Sequence, residues 1–296
     1  MVTNRADEID WVVLTRGDRP VALAAAVGSL LESAPTTGAT RVIVVVNGAP
    51  EVVFADVGGV VAVVSDVNLG VPAGRHLGVA SSDASIVGFL DDDAVAPPGA
   101  SRRVIEAFAD DPRLAVVSFR LLDEQGTSST RHVPRPGGRN SSTSGAVTTF
   151  LGGASAIRRS AYDAVGGYFG DLHYGHEEVE LSWRLIDAGW AIRYLADVEV
   201  FHPRTEIGRH DFGWRLTGRN RVWIARRSLP WPVALVHVAV WLVLGTVRAP
   251  DRRCRRSYLA GWWSGWRTPW PSAAPRRPIS WRGVWRLTRL GRPPVI

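Results

Sequence analysis

Two kinds of segment alternate along the chain. Residues 11–15, 41–46, 60–64 and 85–90 are short runs, apolar at nearly every position, which read as buried strands. Between them lie stretches whose apolar residues recur at helical spacing, at about 21–31 and around 75–81. Strands that alternate with helices and are apolar on both faces predict an α/β fold with a mostly parallel sheet covered on both sides. Ligands of such sheets bind beyond the carboxyl ends of the strands, where Thr15, Asn47, Asn68 and Asp91–Asp93 fall. Residues 123–145 are rich in Ser, Thr, Gly, Pro and Arg and predict a long functional or disordered loop. Further on, Leu181, Leu185 and Ala188 mark another helix, and residues 198–202 another strand end.

The three consecutive carboxylates Asp91, Asp92 and Asp93 leave one strand together. Joint ionisation at that spacing is unfavourable unless a cation sits among them, and hard oxygen ligands suit Mg²⁺ or Mn²⁺, which bridge carboxylates to substrate phosphates. A solvated acidic turn explains an isolated triplet equally well. Glu177 and Glu178 stand where the next helical pattern starts, a position that stabilises carboxylates and leaves one free to face a pocket; an ordinary acidic first turn is the alternative. His202, at the end of a strand, has the side chain to complete a metal site, though a lone histidine is more often structural.

Charge divides the chain. Of 35 basic residues, all arginine, 17 lie in residues 1–208 against 26 acids, and 18 lie in residues 209–296 against two. The net charges are therefore −9 and +16, and ten of the 13 tryptophans fall in the second part. This predicts two parts with different surroundings, 1–208 and a basic, Trp-rich extension over 209–296 that faces an anionic partner. Residues 231–247 form an apolar segment flanked by arginine, at the lower limit for crossing a bilayer. Cys254 is the single cysteine, which excludes an intramolecular disulfide and a cysteine-rich zinc site. The polar first ten residues hold no signal-peptide core, so the expected compartment is the cytoplasm.

The string Val-Val-Leu-Thr15, Val-Val-Asn47-Gly48, Asn68-Leu-Gly70, Gly74-Arg75, Phe-Leu-Asp91-Asp92-Asp93, Gly152-Gly153-Ala154 and Gly166-Gly167-Tyr168 continues downstream. It goes on through His176-Glu177-Glu178-Val-Glu180-Leu, Trp183-Arg184-Leu, Ala188-Gly-Trp190, Phe201-His202 and Arg219-Asn220-Arg221. In this order the pieces resemble glycosyltransferase family 2, inverting enzymes of the GT-A fold, here of an actinobacterial cell-envelope type. The resemblance implies a Rossmann-like sheet and transfer from a nucleotide diphosphate sugar, UDP- or dTDP-linked. By that resemblance Asp91 meets the donor ribose or the metal, Asp93 and His202 hold Mn²⁺ or Mg²⁺, and Glu178, beside Glu177, deprotonates the acceptor hydroxyl. Thr15, Asn68, Gly70, Arg75 and Asp92 would line the nucleotide pocket. Many members carry Asp where Val46 stands, so Asn47 or Arg16 would take over base recognition. The implied acceptor is a glycan or polyprenyl-linked carrier, met on the inner face of the cytoplasmic membrane. There the Trp/Arg tail, the loop Arg131–Arg135 and an Arg219–Arg221 turn would meet lipid and diphosphate.

Two rival classes remain open on the residues alone. Asp91-Asp92-Asp93-Ala-Val95 also fits the aspartate-nucleophile motif of haloacid dehalogenase-type phosphatases, but at least two strands precede it and the chain has no lysine. Arg/Trp interleaving in a basic tail permits a non-catalytic nucleic-acid module, which the acidic N-terminal part opposes; no nucleic-acid partner is expected.

Overall fold

In the computed structural model, which describes residues 5–34, 40–49, 58–135, 138–204, 213–272 and 274–296, the strand-forming runs assemble into one sheet. Its strands are β1 (Arg5–Thr15), β2 (Arg41–Asn47), β3 (Val60–Ser65), β4 (Ala84–Asp91), β5 (Leu114–Leu122), β6 (Gly145–Ala146), β7 (Ala154–Arg158) and β8 (Ala191–Phe201). Their spatial order is β3-β2-β1-β4-β7-β5-β8-β6. The pairs β3–β2, β2–β1, β1–β4 and β5–β8 are parallel, while β7 and β6 run against their neighbours. After β1 the chain builds outward to β3, then returns to place β4 on the other side of β1. The strand order thus reverses between β1 and β4, the kind of crevice in which open sheets bind ligands.

Alternation along each strand feeds two cores. Val13, Val44 and Leu90 face one side, where they pack with Leu23 and Leu30 of α1 (Pro20–Glu32) and Val104 and Phe108 of α3 (Ala100–Asp110). Val12, Ile43, Val45 and Phe89 face the other, toward α2 (Val71–Ala80), α4 (Arg159–Val165) and α5 (Glu177–Asp187). That second core continues into Val222, Trp223 and Ile224 of α6 (Gly213–Ser228) and Val233, Ala234 and Val238 of α7 (Trp231–Arg248). Two more helices follow, α8 (Arg252–Arg267) and α9 (Trp281–Arg289). The expected boundary at 208/209 lies outside the described residues.

The strand expected over residues 60–64 to be covered on both faces is instead the edge strand β3, with Val61 and Val64 exposed. A run of Val and Ala cannot by itself separate an edge from a centre, because periodicity is absent in both. The expected 17-residue apolar segment is the 18-residue helix α7, packed on the domain through Val233, Ala234, His237, Val238, Trp241 and Gly245. Helices α6 and α8 approach backbone to backbone, since a Cβ on Gly218 or Gly261 would collide with the main chain of Tyr258 or Arg215 on the facing helix.

A buried ion network ties α5 to α6. Glu180, fully buried, accepts from Arg184 Nε (2.9 Å), from Ser228 Oγ (2.6 Å) and from Arg227. Burial works against the Glu180 charge, but the two guanidinium groups outweigh it and hold the carboxyl below its ordinary value. For Arg227 burial wins, and its value is lowered despite the same contact.

Candidate active site

The acidic triplet begins as the last residue of β4. The Asp91 N–H donates to Gly153 O (3.0 Å), and Ala94 N–H returns to Asp91 O (3.0 Å), which turns the chain so that Asp92 points away from Asp91 and Asp93. Asp92 turns inward. One oxygen accepts from Thr15 Oγ1 (2.7 Å) and the other from Arg19 Nη2 (2.5 Å). Asp92 and Thr15 are both buried and satisfy one another, so the strand ends of β4 and β1 are tied by this pair.

Asp91 and Asp93 face a shared space. Val95 bridges to Phe201, and this short antiparallel contact sets His202 beside them. His202 Nε2 lies 3.5 Å from Asp93 Oδ1 and 3.8 Å from Asp91 Oδ2. The remaining oxygen of each carboxylate is pinned from outside, Asp91 Oδ1 by Arg75 Nη2 (3.1 Å) and Asp93 Oδ2 by Arg19. His202 Nδ1 sits 2.8 Å from Pro203 O, so in the neutral ring Nδ1 carries the proton and Nε2 the lone pair. One ligand atom from each of the three residues lies within 4.8 Å of the other two. A divalent cation with oxygen and imidazole ligands fits that arrangement. His132, in the long loop, packs edge-on against His202 at 5.7 Å, and burial, Arg131 and His202 lower its pKa to about 4.

Arg75 joins this cluster to the second acidic pair. It projects from α2, is buried, and also donates through Nη1 to Glu178 Oε1 (3.2 Å). Burial opposes its charge, yet Tyr168, Asp91, Glu178 and Glu177 together raise its pKa above the ordinary arginine value. Glu177 and Glu178 are the first two residues of α5, where the helix N-terminus favours carboxylates. Burial raises the pKa of both; the like charge of Glu178 raises Glu177 further, and Arg75 pulls the other way for each. Glu177 is shut inside, with Oε2 buried and unpartnered, whereas Glu178 opens into a cleft of about 700 Å³. Gly152 and Gly153 are glycine because a Cβ on either would collide with Glu178 and Arg75, or with Asp91.

Asn47, Asn68 and Gly70 form a separate unit. Asn47 Oδ1 accepts from Leu69 N–H (2.8 Å), its amide donates to Asn68 Oδ1 and Gly70 O (3.2 Å each), and Gly70 N–H donates to Asn68 Oδ1 (2.9 Å). Gly70, at φ +80°, caps α2, so this network fixes the helix that carries Arg75. Arg16 is exposed in the β1–α1 loop, and among the described residues no hydrogen bond or ion pair joins it to the others.

Residues 219–221 lie in the middle of helix α6, not in a turn, because the helical run extends from residue 213 to 228. Asn220 Nδ2 is within 2.9 Å of the carbonyls of Leu172, Tyr174 and Gly175, and so clamps the loop that delivers Glu177 and Glu178. Arg219 donates to Leu172 O (2.9 Å), and Arg221 is buried against the Trp241 ring. Sequence reasoning passed over Arg19, whose only signal is its place one residue before the Pro20 that starts α1. It also passed over His132 and Arg227, which no local pattern marks.

The family model described as Glycosyl transferase family 2 matches residues 11–166. A pre-mycofactocin glycosyltransferase of Mycobacterium tuberculosis (strain ATCC 25618 / H37Rv) is 30% identical over 171 residues, which cover 54% of this chain and 33% of that protein. The chain thus spans about a third of the length of the curated relatives it matches. Among solved structures, GalNAc-T7 with UDP, GalNAc and Mn²⁺ aligns at TM-score 0.62 and 13% identity, covering 86% of this chain and 54% of that one. S. aureus TarS 1–349 with UDP-GlcNAc aligns at 0.59 and 11%, covering 86% and 79%. The mannosyltransferase PcManGT from Pyrobaculum calidifontis, with GDP-Man and Mn²⁺, aligns at 0.55 and 15%, covering 95% and 78%. At these identities the structural likeness speaks for a shared GT-A fold.

Proposed function

The chain belongs to glycosyl transferase family 2, and on that premise we propose that it moves a sugar, with inversion, from a nucleotide diphosphate sugar to an acceptor hydroxyl. The observation that carries this reading is the convergence of Asp91, Asp93 and His202, joined through Arg75 to Glu178. Asp91, Asp93 and His202 are the residues that would hold Mn²⁺ or Mg²⁺, and a bound cation there offsets the charge that develops on the departing diphosphate. Solved neighbours carry UDP, UDP-GlcNAc or GDP-Man, and two of them Mn²⁺; a UDP- or dTDP-sugar is the donor proposed here.

Glu178 opens to the cleft and takes the proton of the attacking hydroxyl. Burial raises its pKa, which strengthens it as a base, while Arg75 acts in the opposite direction. Glu177, buried beside it, does not line the cleft. Arg75 also holds Asp91 and Glu178 in fixed relation, so donor and base face each other across one guanidinium. A thermal-shift screen of nucleotide sugars tests the reading. One donor class should raise Tm only when Mn²⁺ or Mg²⁺ is present; no response to any donor, or an equal response in chelator, contradicts it.

The acceptor proposed is a glycan or polyprenyl-linked carrier at the inner face of the cytoplasmic membrane, met by peripheral seating of the helical region. Supporting this, α7 presents Trp231, Leu235, Val236, Val243 and Val247 outward, and α9 exposes Trp281 and Trp285 beside Arg282 and Arg289. Aromatic rings with guanidinium groups suit a headgroup layer. Removing residues 209–296 would strip Trp223 from the core, so the test keeps the full chain. It should float with anionic vesicles, and Trp281→Ser/Trp285→Ser should float less; a chain that stays soluble with such vesicles at low salt overturns the seating.

A further inference from the structure

The cleft that exposes Glu178 is lined by four arginines from two separate regions. Arg131 and Arg135 come from the long loop, Arg248 from the last turn of α7, and Arg292 from the segment after α9. Among the described residues Glu178 is the single carboxylate lining it, and Arg75 already pairs with that charge. Arg135 is engaged with Asn140 O (2.6 Å) and the Tyr194 ring. Among the described residues, by contrast, neither Arg248 nor Arg292 has a carboxylate partner or a side-chain hydrogen bond, and Arg248 rests only over Trp241 at 5.2 Å.

The like charges act on one another. Burial and the neighbouring Arg248 lower Arg292 below the ordinary arginine value, while burial, Arg292 and Arg248 bring Arg221 down to about 9. The arrangement is built rather than loose. His237, fully buried in α7, donates through Nδ1 to Pro294 O (2.6 Å), which fixes the segment bearing Arg292 against the helix bearing Arg248. Placing two unpaired guanidinium groups together, Arg292 half-buried and Arg248 exposed at the cleft, works against the fold unless an anion joins them.

We propose that the acceptor carries a phosphate or diphosphate group, held by Arg248 and Arg292 while its hydroxyl meets Glu178. Guanidinium forks match phosphate oxygens in pairs, and a dianion relieves the repulsion between the two arginines. The proposal rests on the transferase reading only for the role of Glu178; the anion site has its own readout.

Thermal unfolding of the full chain in chelator, with inorganic pyrophosphate as probe, tests it. Wild type should gain Tm with pyrophosphate. Arg248→Gln/Arg292→Gln should start at a higher Tm, because repulsion is relieved, and respond with roughly tenfold weaker affinity, the loss of one or two charge-assisted contacts. Arg102→Gln, which removes an exposed charge on α3, should respond like wild type. A double variant that responds like wild type, a wild type that does not respond, or a response abolished by Asp93→Ala instead, overturns the proposal. A hexose phosphate and phosphatidic acid vesicles then separate the sources. An Arg248/Arg292-dependent response confined to vesicles assigns a lipid-borne phosphate, a response to the sugar phosphate a soluble one, and a response to neither overturns the proposal. Donor-induced stabilisation without a pyrophosphate response sinks this inference alone, and the reverse pattern sinks the transferase reading alone.

Discussion

The sheet region and the C-terminal helices use charge in opposite ways. At the ends of β4 and α5, few charges face a common space, and each is steered by one arginine from outside the cluster. In the helices most of the arginine is consumed as structural glue. Arg226 donates to Gly265 O (2.6 Å), Arg276 to Leu229 O (2.7 Å), and Arg286 to Asp187 O (3.0 Å). Arg219, Arg267 and Arg276 also lie over tryptophan rings. Guanidinium planes cap carbonyls and stack on indoles at once, so they join the helices beside the apolar core those helices share. A segment charge of +16 therefore overstates the positive surface offered to a polyanion, and Arg248 and Arg292 differ from other arginines unpaired among the described residues, such as Arg282 and Arg289, in lining the cleft of Glu178.

The comparison breaks most sharply at Glu178. Glu178→Gln keeps the shape but cannot take a proton, so turnover should fall about 10²–10⁴-fold while donor affinity persists. Steady-state kinetics with donor titration checks this; near-normal turnover would move the base elsewhere, with Glu177 the first alternative.

Arg227→Met probes the structural side. It leaves Glu180 buried with one guanidinium fewer and should cost about 3–5 kcal/mol in urea unfolding, with a native-like fold retained below the transition. Glu180 has a depressed folded-state pKa, so its contribution is present above its unfolded pKa and is lost as pH falls through the folded value. Wild-type stability should decline at acid pH, and Arg227→Met should depend less on pH there. A loss below 1 kcal/mol in the variant, on the order of an exposed ion pair, would contradict the network's role.

The smallest effect is expected at Glu177. Burial and the charge of Glu178 raise its pKa to about 8, so Glu177 is largely protonated at neutral pH, and Glu177→Gln should leave the acid limb of the pH–rate profile nearly in place, with less than about tenfold change at neutrality. An acid limb that moves up, or vanishes, would reverse the two glutamates' roles.

Residue pattern alone carried the alternation of β1, α1, β2, β3, α2 and β4 and the gathering of Asp91, Asp93, Glu178 and His202 into strand and helix ends. Those features are local, because an apolar run sets each strand and the first polar residues after it mark the end. Arg19, His132, Arg227 and Asn220 act across 45 to 80 residues of chain, and nothing in their neighbours marks a partner that far away. The antiparallel insertion of β7 between β4 and β5 was hidden for the same reason. Asn47 and Asp92 show a further limit: both stand at strand ends, yet their polar atoms are turned to the scaffold, and only side-chain direction separates a lining residue from a supporting one.

Calorimetric titration of the full chain with the donor found in the screen, with and without Mn²⁺, tests the central claim most directly. Wild type should bind the donor tightly only with Mn²⁺, and Asp93→Ala should lose the metal-dependent part while keeping its unfolding transition. Unchanged Mn²⁺-dependent binding in Asp93→Ala would contradict the account, because the oxygen facing His202 would then have no part in holding the cation.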